Sequence, residues 1–100
     1  VRGGGTEGAG GRRAAVAPRA VLEVSENSWG DEVLAASESG PVLVDFWATW
    51  CGPCKLVAKV LNDLEPEYGN LKVVKVETDP NPALVEQYGV YGLPTLIVFK

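Results

Sequence analysis

Residues 45–55 read Asp-Phe-Trp-Ala-Thr-Trp-Cys-Gly-Pro-Cys-Lys and contain the only two cysteines of the chain, Cys51 and Cys54. They join an apolar run at 42–47, which is typical of a strand, to a run with helical periodicity that begins at Pro53. A thiol at the first turn of a helix faces unpaired backbone N–H groups and the positive end of the helix dipole, which favour the reactive thiolate. This stretch therefore predicts a redox-active dithiol between a strand and a helix.

The sequence around this stretch predicts alternating strands and helices. Strand patterns occur at residues 21–24, 42–47, 71–77 and 95–99. Helical patterns begin near Asn27 or Ser28, at Pro53 and, with Asn81 as N-cap, at Pro82; they end before Gly40, near Glu65 and at Gly89. The order β-α-β-α-β-α-β is typical of an α/β fold with parallel strand pairing.

Asp45 is the most anomalous residue of the chain, because it lies inside the apolar run at 42–47. The continuous hydrophobicity of this run predicts a central strand that is covered on both faces. A buried carboxylate is costly unless it has a partner, and desolvation raises its pKa. The alternative is a bulge or twist of the strand that lets the Asp45 carboxylate reach water.

The composition excludes several classes of function. The chain has no histidine, which removes Ser/His and Cys/His catalytic arrangements and most zinc chemistry. Two cysteines can complete a four-ligand zinc site only in a symmetric dimer, so we expect no metal. No apolar run approaches the ~20 residues of a membrane-spanning helix, so we expect no membrane association.

Charge is distributed unevenly between residues 1–20 and residues 21–100. The first segment has four arginines and one glutamate, a net charge of +3, whereas the second has five lysines and twelve acidic residues, a net charge of −7. This acidic body lacks a basic patch, which argues against nucleic acid as a partner. Residues 1–20 are rich in Gly, Ala and Arg, so we expect a disordered leader. It is either the remnant of an organellar transit peptide or a flexible segment without an addressing role.

Three blocks of the sequence resemble landmarks of the thioredoxin family: residues 44–55, 79–82 and 91–100. The resemblance covers about residues 21–100, which we take as the domain, and the active-site block is highly specific. It implies a thioredoxin fold, in which a central mixed β-sheet is flanked by helices. The chain stops at Lys100, where the family continues into a last hairpin strand and a C-terminal helix. We therefore expect an incomplete, truncated domain that is unstable or prone to aggregation by itself.

The resemblance also implies roles for individual residues. Cys51 would be the nucleophile that attacks a protein disulfide, and Cys54 the resolving thiol. Asp45 would exchange a proton with Cys54, and Lys75 would lie near Asp45 as its charge partner. Pro94 matches the family's cis-proline opposite the cysteines. A flat apolar surface for the extended segment of a substrate would be formed by Trp50, Gly52, Pro53, Tyr91, Gly92, Leu93 and Pro94.

In function, the resemblance implies a thiol–disulfide oxidoreductase that reduces disulfides of target proteins through its Cys-Gly-Pro-Cys dithiol, without a cofactor. Proline within the motif leaves the thiolate without extra stabilisation from a charged side chain, and a less stabilised thiolate makes a better reductant. A thioredoxin reductase, dependent on ferredoxin or NADPH, would recharge the monomeric protein. The basic leader and the similarity of residues 55–57 and 90–94 to plastid thioredoxins favour the chloroplast stroma over the cytoplasm.

Two alternatives remain for the cysteine pair. A structural disulfide between Cys51 and Cys54 gains little stability from closing so short a loop. A non-catalytic thioredoxin-fold binding module would normally lack one or both thiols. This chain keeps both thiols, together with Asp45 and Pro94.

Overall fold

A mixed four-stranded sheet forms the centre of the fold in a computed structural model that describes residues 21–64 and 69–100. Its strands are β1 (Leu22–Glu23), β2 (Val42–Trp47), β3 (Lys72–Glu77) and β4 (Thr95–Phe99), in the order β1-β3-β2-β4. β3 pairs in parallel with both β1 and β2, and β2 pairs antiparallel with β4. The predicted α/β class and mixed sheet are confirmed.

Strands and helical segments alternate along the described residues in the predicted order. Two predictions fall outside these residues, namely the leader at 1–20 and the helix end near Glu65. Within the described ranges, no helix is long and apolar enough to span a membrane.

β2 contributes to both layers of the fold, because its side chains alternate between the two faces of the sheet. Val42, Val44 and Phe46 are fully buried and belong to the main hydrophobic core. Asp45 and Trp47 project to the opposite face. Both faces of the strand are thus covered, which explains why its sequence is apolar almost throughout.

The first helical segment differs from its prediction. It begins at Gly30, not at Asn27 or Ser28, and consists of a π-helical turn (Gly30–Ala35) followed by a 3₁₀ turn at residues 36–38. Ser28 does not cap the segment, because its hydroxyl accepts a hydrogen bond from the Ser25 N–H at 3.1 Å and closes the preceding turn. The sequence signal of a capping residue was therefore real, but it belongs to a turn.

Helix α1 (Gly52–Leu64) starts directly after Cys51. Leu61 is buried, whereas Leu56 and Val60 are each more than half exposed, although all three are apolar positions of the helical pattern. The helix therefore buries only part of its apolar side chains against the described sheet.

Helix α2 (Pro82–Gln87) begins after Asn81 as predicted, but the Asn81 side chain does not cap it. Its Oδ1 accepts from the Glu26 N–H at 2.9 Å, and its Nδ2 donates to the Glu77 carbonyl at 2.8 Å. The Glu26 carboxylate instead accepts from the Ala83 N–H at the helix start, also at 2.8 Å. Buried Asn81 thus joins the end of β3 to the loop after β1.

Candidate active site

Cys51 and Cys54 lie where the sequence predicts them, at the junction of β2 and α1. They form a disulfide with a Cα–Cα distance of 5.4 Å, and both residues are buried. Cys51 immediately precedes the first residue of α1, and its N–H donates to the Ala48 carbonyl at 3.1 Å. Because the first N–H groups of α1 have no partner within the helix, a thiolate on Cys51 lies where the helix end stabilises negative charge.

The disulfide packs into a small apolar cluster of its own. Ala48 is buried with the two cysteines, and Trp47 and Leu93 pack against them. Leu93 comes from the loop before β4, and its peptide bond to Pro94 is cis, as the resemblance implies. The loop at residues 91–94 is thus held directly against the redox pair.

Asp45 lies behind the disulfide on β2, and it is only 2% exposed. Its regular pairing with both Lys75 and Leu96 excludes the bulge that was considered as an alternative. Asp45 and Cys54 line one cavity of about 380 Å³, whose remaining lining residues are Trp47, Ala48, Thr49, Lys55, Ala58 and Lys75. The buried carboxylate therefore borders the same cavity as the second cysteine.

Desolvation raises the pKa of Asp45 from 3.8 to about 6. The positive charge of Lys75 lowers this pKa and the negative charge of Glu23 raises it, both by less than burial does. Asp45 Oδ1 has no hydrogen-bond partner among the described residues. A carboxyl group in this state changes protonation close to neutral pH.

Lys75 lies opposite Asp45 in the register of β2 and β3, but its ammonium group forms its ion pair elsewhere. Lys75 Nζ is 3.9 Å from Glu23 Oε1 and lies over the Trp47 ring, 5.6 Å from its centroid. Partial burial raises the pKa of Glu23, an effect that the charge of Lys75 opposes. Lys75 is therefore near Asp45, as implied, yet its ion-pair partner in the described structure is Glu23.

An exposed groove of about 330 Å³ lies beside the disulfide. Trp50 and Tyr91 contribute to its walls and are 69% and 90% exposed. The Trp50 indole N–H donates to Asp79 Oδ2 at 3.2 Å, which orients the ring. The other lining residues are Thr78, Asp79, Pro82, Val85, Val90, Gly92 and Leu93.

The structure thus brings together most of the residues predicted to bind substrate. Trp50, Tyr91, Gly92 and Leu93 line the groove. Gly52 and Pro53 are exposed in the first turn of α1, and half-buried Pro94 follows Leu93; these three residues are not part of the groove lining.

Sequence reasoning missed Glu23, Trp47 and Asp79 as contributors to the site. Asp79 follows the carboxyl end of β3, the edge at which parallel sheets place functional loops, so its position offered a signal. The sequence position of Glu23 offered no such signal, because its proximity to Lys75 depends on the pairing of β1 with β3. Within the described residues, no group of three or more His, Cys, Asp or Glu side chains could hold a metal ion.

Comparison with known proteins identifies the family to which this arrangement belongs. The sequence model of the thioredoxin family matches residues 20–100. The chain is 49% identical over 82 residues to thioredoxin 1 of Nostoc sp., covering 81% of this chain and 75% of that protein. It is 44% identical over 89 residues to the chloroplastic M-type thioredoxin of Spinacia oleracea, covering 88% of this chain and 48% of that protein. The chain belongs to the thioredoxin family.

Thioredoxins are protein-disulfide reductases that use a cysteine pair of their own, and Cys51–Cys54 is the only cysteine pair of this chain. The chain is accordingly a thiol–disulfide oxidoreductase. Membership in the family also explains the mixed sheet and the position of the disulfide at the start of α1.

Proposed function

We propose that Cys51 is the attacking group and Cys54 the resolving group of this reductase. The Cys51 thiolate attacks one sulfur of a target disulfide, forms a mixed disulfide and expels the other target sulfur as a thiolate. The Cys54 thiol then loses its proton and attacks the Cys51 sulfur, which releases the second target thiol and forms the Cys51–Cys54 disulfide. Two electrons pass from the dithiol to the target in each cycle.

The observation that carries this proposal is the position of Cys51 immediately before α1, with Cys54 one turn into the helix and facing the cavity that Asp45 also lines. The helix start favours the thiolate on Cys51. The carboxylate in the cavity gives Cys54 a proton acceptor. The two cysteines thus have different surroundings, which suit their different tasks.

Asp45, in this proposal, accepts the Cys54 proton during resolution and returns it in the reverse reaction. Its raised pKa of about 6 leaves it ionised, but still readily protonated, at neutral pH. The cavity of about 380 Å³ has room for water molecules that could relay the proton between the two groups. Lys75, which lines the same cavity, opposes the rise in the pKa of Asp45 through its positive charge.

The substrate segment docks, we propose, across the exposed surface formed by Trp50, Gly52, Pro53, Tyr91, Gly92, Leu93 and Pro94. The exposed rings of Trp50 and Tyr91 offer apolar contact, and the free space around exposed Gly92 leaves room for an extended peptide. The contact of Leu93 with the disulfide cluster would guide such a peptide to Cys51.

The partners that we propose are disulfide-containing target proteins and a thioredoxin reductase that uses ferredoxin or NADPH. The working unit is a monomer without a cofactor, because one chain supplies every residue of the proposed mechanism. The M-type chloroplastic relative supports a place in the chloroplast stroma. Reduction of the oxidised protein by ferredoxin-dependent reductase, compared with the NADPH-dependent enzyme, identifies the electron donor.

Insulin reduction with dithiothreitol as electron source tests the cysteine roles. We expect the wild-type protein to accelerate insulin precipitation and Cys51→Ser to lose this activity completely. Cys54→Ser should instead accumulate a mixed disulfide with insulin, which non-reducing gels and mass spectrometry detect. Activity that survives in Cys51→Ser would refute the assignment. A wild-type protein that binds insulin without reducing it would indicate the binding-module alternative.

A further inference from the structure

We propose that Glu23 is a positioning residue for the active site. By binding the Lys75 ammonium group near the edge of the sheet, it leaves the Asp45 carboxylate without an ion-pair partner among the described residues and keeps it able to take up a proton. The consequence for turnover rests on the proposed function of Asp45. The effect of Glu23 on the protonation of Asp45 does not.

The register of the sheet places the three groups in one row. Glu23 on β1 is the partner of Lys75 on β3, and Lys75 is also the partner of Asp45 on β2. Because paired residues of neighbouring strands project to the same face, all three side chains share the face that carries α1. The single lysine therefore lies between two carboxylates.

Lys75 pairs with Glu23, the carboxylate on the edge strand β1. Lys75 Nζ forms its ion pair with Glu23 at 3.9 Å and rests on the Trp47 ring, at 5.6 Å from the centroid. Asp45 Oδ1 has no hydrogen-bond partner in the described structure. A lysine side chain is long and flexible enough to reach either acid, so the Glu23 charge decides where the ammonium group resides.

Few other charged groups of the described residues face Asp45. Cys54 and Lys55 of α1 line the same cavity, and β4 contributes only the apolar partner Leu96. The negative charge of Glu77 acts on Glu23, where it opposes ionisation. Cys54 is itself the proposed proton donor. Glu23 and Lys75 are therefore the pair of charges on the sheet that influences the pKa of Asp45.

The test is the Glu23→Gln variant, with the Asp45 carboxyl titrated by ¹³C NMR in the oxidised protein, where neither cysteine titrates. Removing the Glu23 charge frees Lys75 to pair with Asp45. An opposite charge within ~4–6 Å of a carboxyl group lowers its pKa by about 1 pH unit or more. We expect the Asp45 midpoint to fall by that amount. An unchanged midpoint would overturn the proposal.

Glu32→Gln is the matched control. Glu32 forms a 2.6 Å ion pair with Lys72 on the same strand, β3, so the control removes the same charge and also an ion pair with a lysine of that strand. Lys72 is an odd number of residues from Lys75, which places it on the other face of the sheet. We expect the Asp45 midpoint to be unaffected. A shift as large as that of Glu23→Gln would indicate a general charge effect and refute the proposal.

A double-mutant cycle with Lys75→Met decides whether Glu23 acts through the lysine. In the Lys75→Met background, Glu23→Gln should move the Asp45 midpoint by less than half as much as in the wild type. Equal shifts in both backgrounds would mean direct repulsion between the two acids and would contradict a positioning role.

The pH profile of insulin reduction separates this inference from the proposed function. If Glu23→Gln lowers both the midpoint of the Asp45 titration and the pH of the acid limb of the activity profile, this inference and the proposed role of Asp45 are both supported. A midpoint that falls while the profile stays fixed supports the control of Asp45 by Glu23 and contradicts proton exchange by Asp45.

Discussion

At the scale of single residues, Asp45 combines deep burial with a charge that the protein must accommodate. The native state binds the Asp45 proton more tightly than the unfolded chain, since burial raises the pKa from 3.8 to about 6. The stability that this proton contributes is fully present below about pH 4 and is lost as the pH rises through about 6. At pH 8 the ionised group therefore destabilises the native state by roughly 3 kcal/mol.

Asp45→Asn should consequently stabilise the protein in a pH-dependent way. We expect the free energy of unfolding to rise by about 2–3 kcal/mol at pH 8 and to change little at pH 4, as measured by urea denaturation. Asp63→Asn on α1 is the control, because Asp63 is exposed. A stabilisation of equal size at both pH values would show that the pKa of Asp45 is not raised in the native state.

Individual residues also show which features of the site could be predicted from the sequence. The burial of Asp45 could be predicted, because apolar neighbours flank it on both sides in a strand pattern. The ion pair of Lys75 with Glu23 could not, since the two residues are 52 positions apart and meet only through strand pairing. The same applies to the Trp50–Asp79 hydrogen bond, which joins two loops.

At the scale of structural elements, the loop at residues 91–94 connects the redox pair to the proposed docking surface. Gly92 is exposed within this loop, and no heavy atom lies within 4 Å of a Cβ built on it. A methyl group there would enter the space that a substrate backbone would occupy. The loop thus offers a substitution that affects docking and leaves packing intact.

Gly92→Ala should raise the KM for insulin by about tenfold, because a small misplacement of a docked peptide is costly to reaction, and it should leave the Tm within about 2 °C. Gly30→Ala is the matched control, since a Cβ on Gly30 also has no neighbour within 4 Å and the residue lies in the first helical segment. Steady-state kinetics and thermal denaturation provide the two readouts. An unchanged KM in Gly92→Ala would remove Gly92 from the docking surface.

Most elements could be predicted because each has a strong local pattern. β2 spans the predicted residues, and α1 begins one residue before the predicted Pro53. The first helical segment could not be predicted in detail, because Ser28 carries the same hydroxyl whether it caps a helix or closes a turn. The competition between these local hydrogen bonds is decided by the surrounding structure.

At the scale of the whole molecule, exposed apolar side chains concentrate on α1 and β4. Leu56 and Val60 on α1, and Leu96 and Val98 on β4, are each about half exposed or more. β4 is also an edge strand of the described sheet. Apolar side chains on an edge strand favour association between copies.

We therefore expect the 100-residue chain to associate at high protein concentration and Val98→Lys to weaken this association. A charged side chain on β4 makes strand-to-strand contact between copies unfavourable. Leu34→Lys is the control, because Leu34 is 45% exposed but lies in the first helical segment. Sedimentation velocity over a range of concentrations measures the effect. Equal weakening by both variants would locate the contact elsewhere.

The order of elements and the α/β class could be predicted from periodicity, because strands and helices differ in the spacing of their apolar residues. The order of strands in the sheet, β1-β3-β2-β4, is a property of the folded chain that periodicity does not contain. The family resemblance supplied what periodicity lacked, namely the mixed character of the sheet and the cis bond before Pro94.

The alternation along β2 gives one strand two separate tasks. Val42, Val44 and Phe46 belong to the hydrophobic core, while Asp45 and Trp47 line the cavity that Cys54 also lines on the other side. Evolution can therefore adjust reactivity at the second set without emptying the core that the first set fills. Insertion or deletion of a single residue in this strand would exchange the two sets, so that reactivity and folding would fail together.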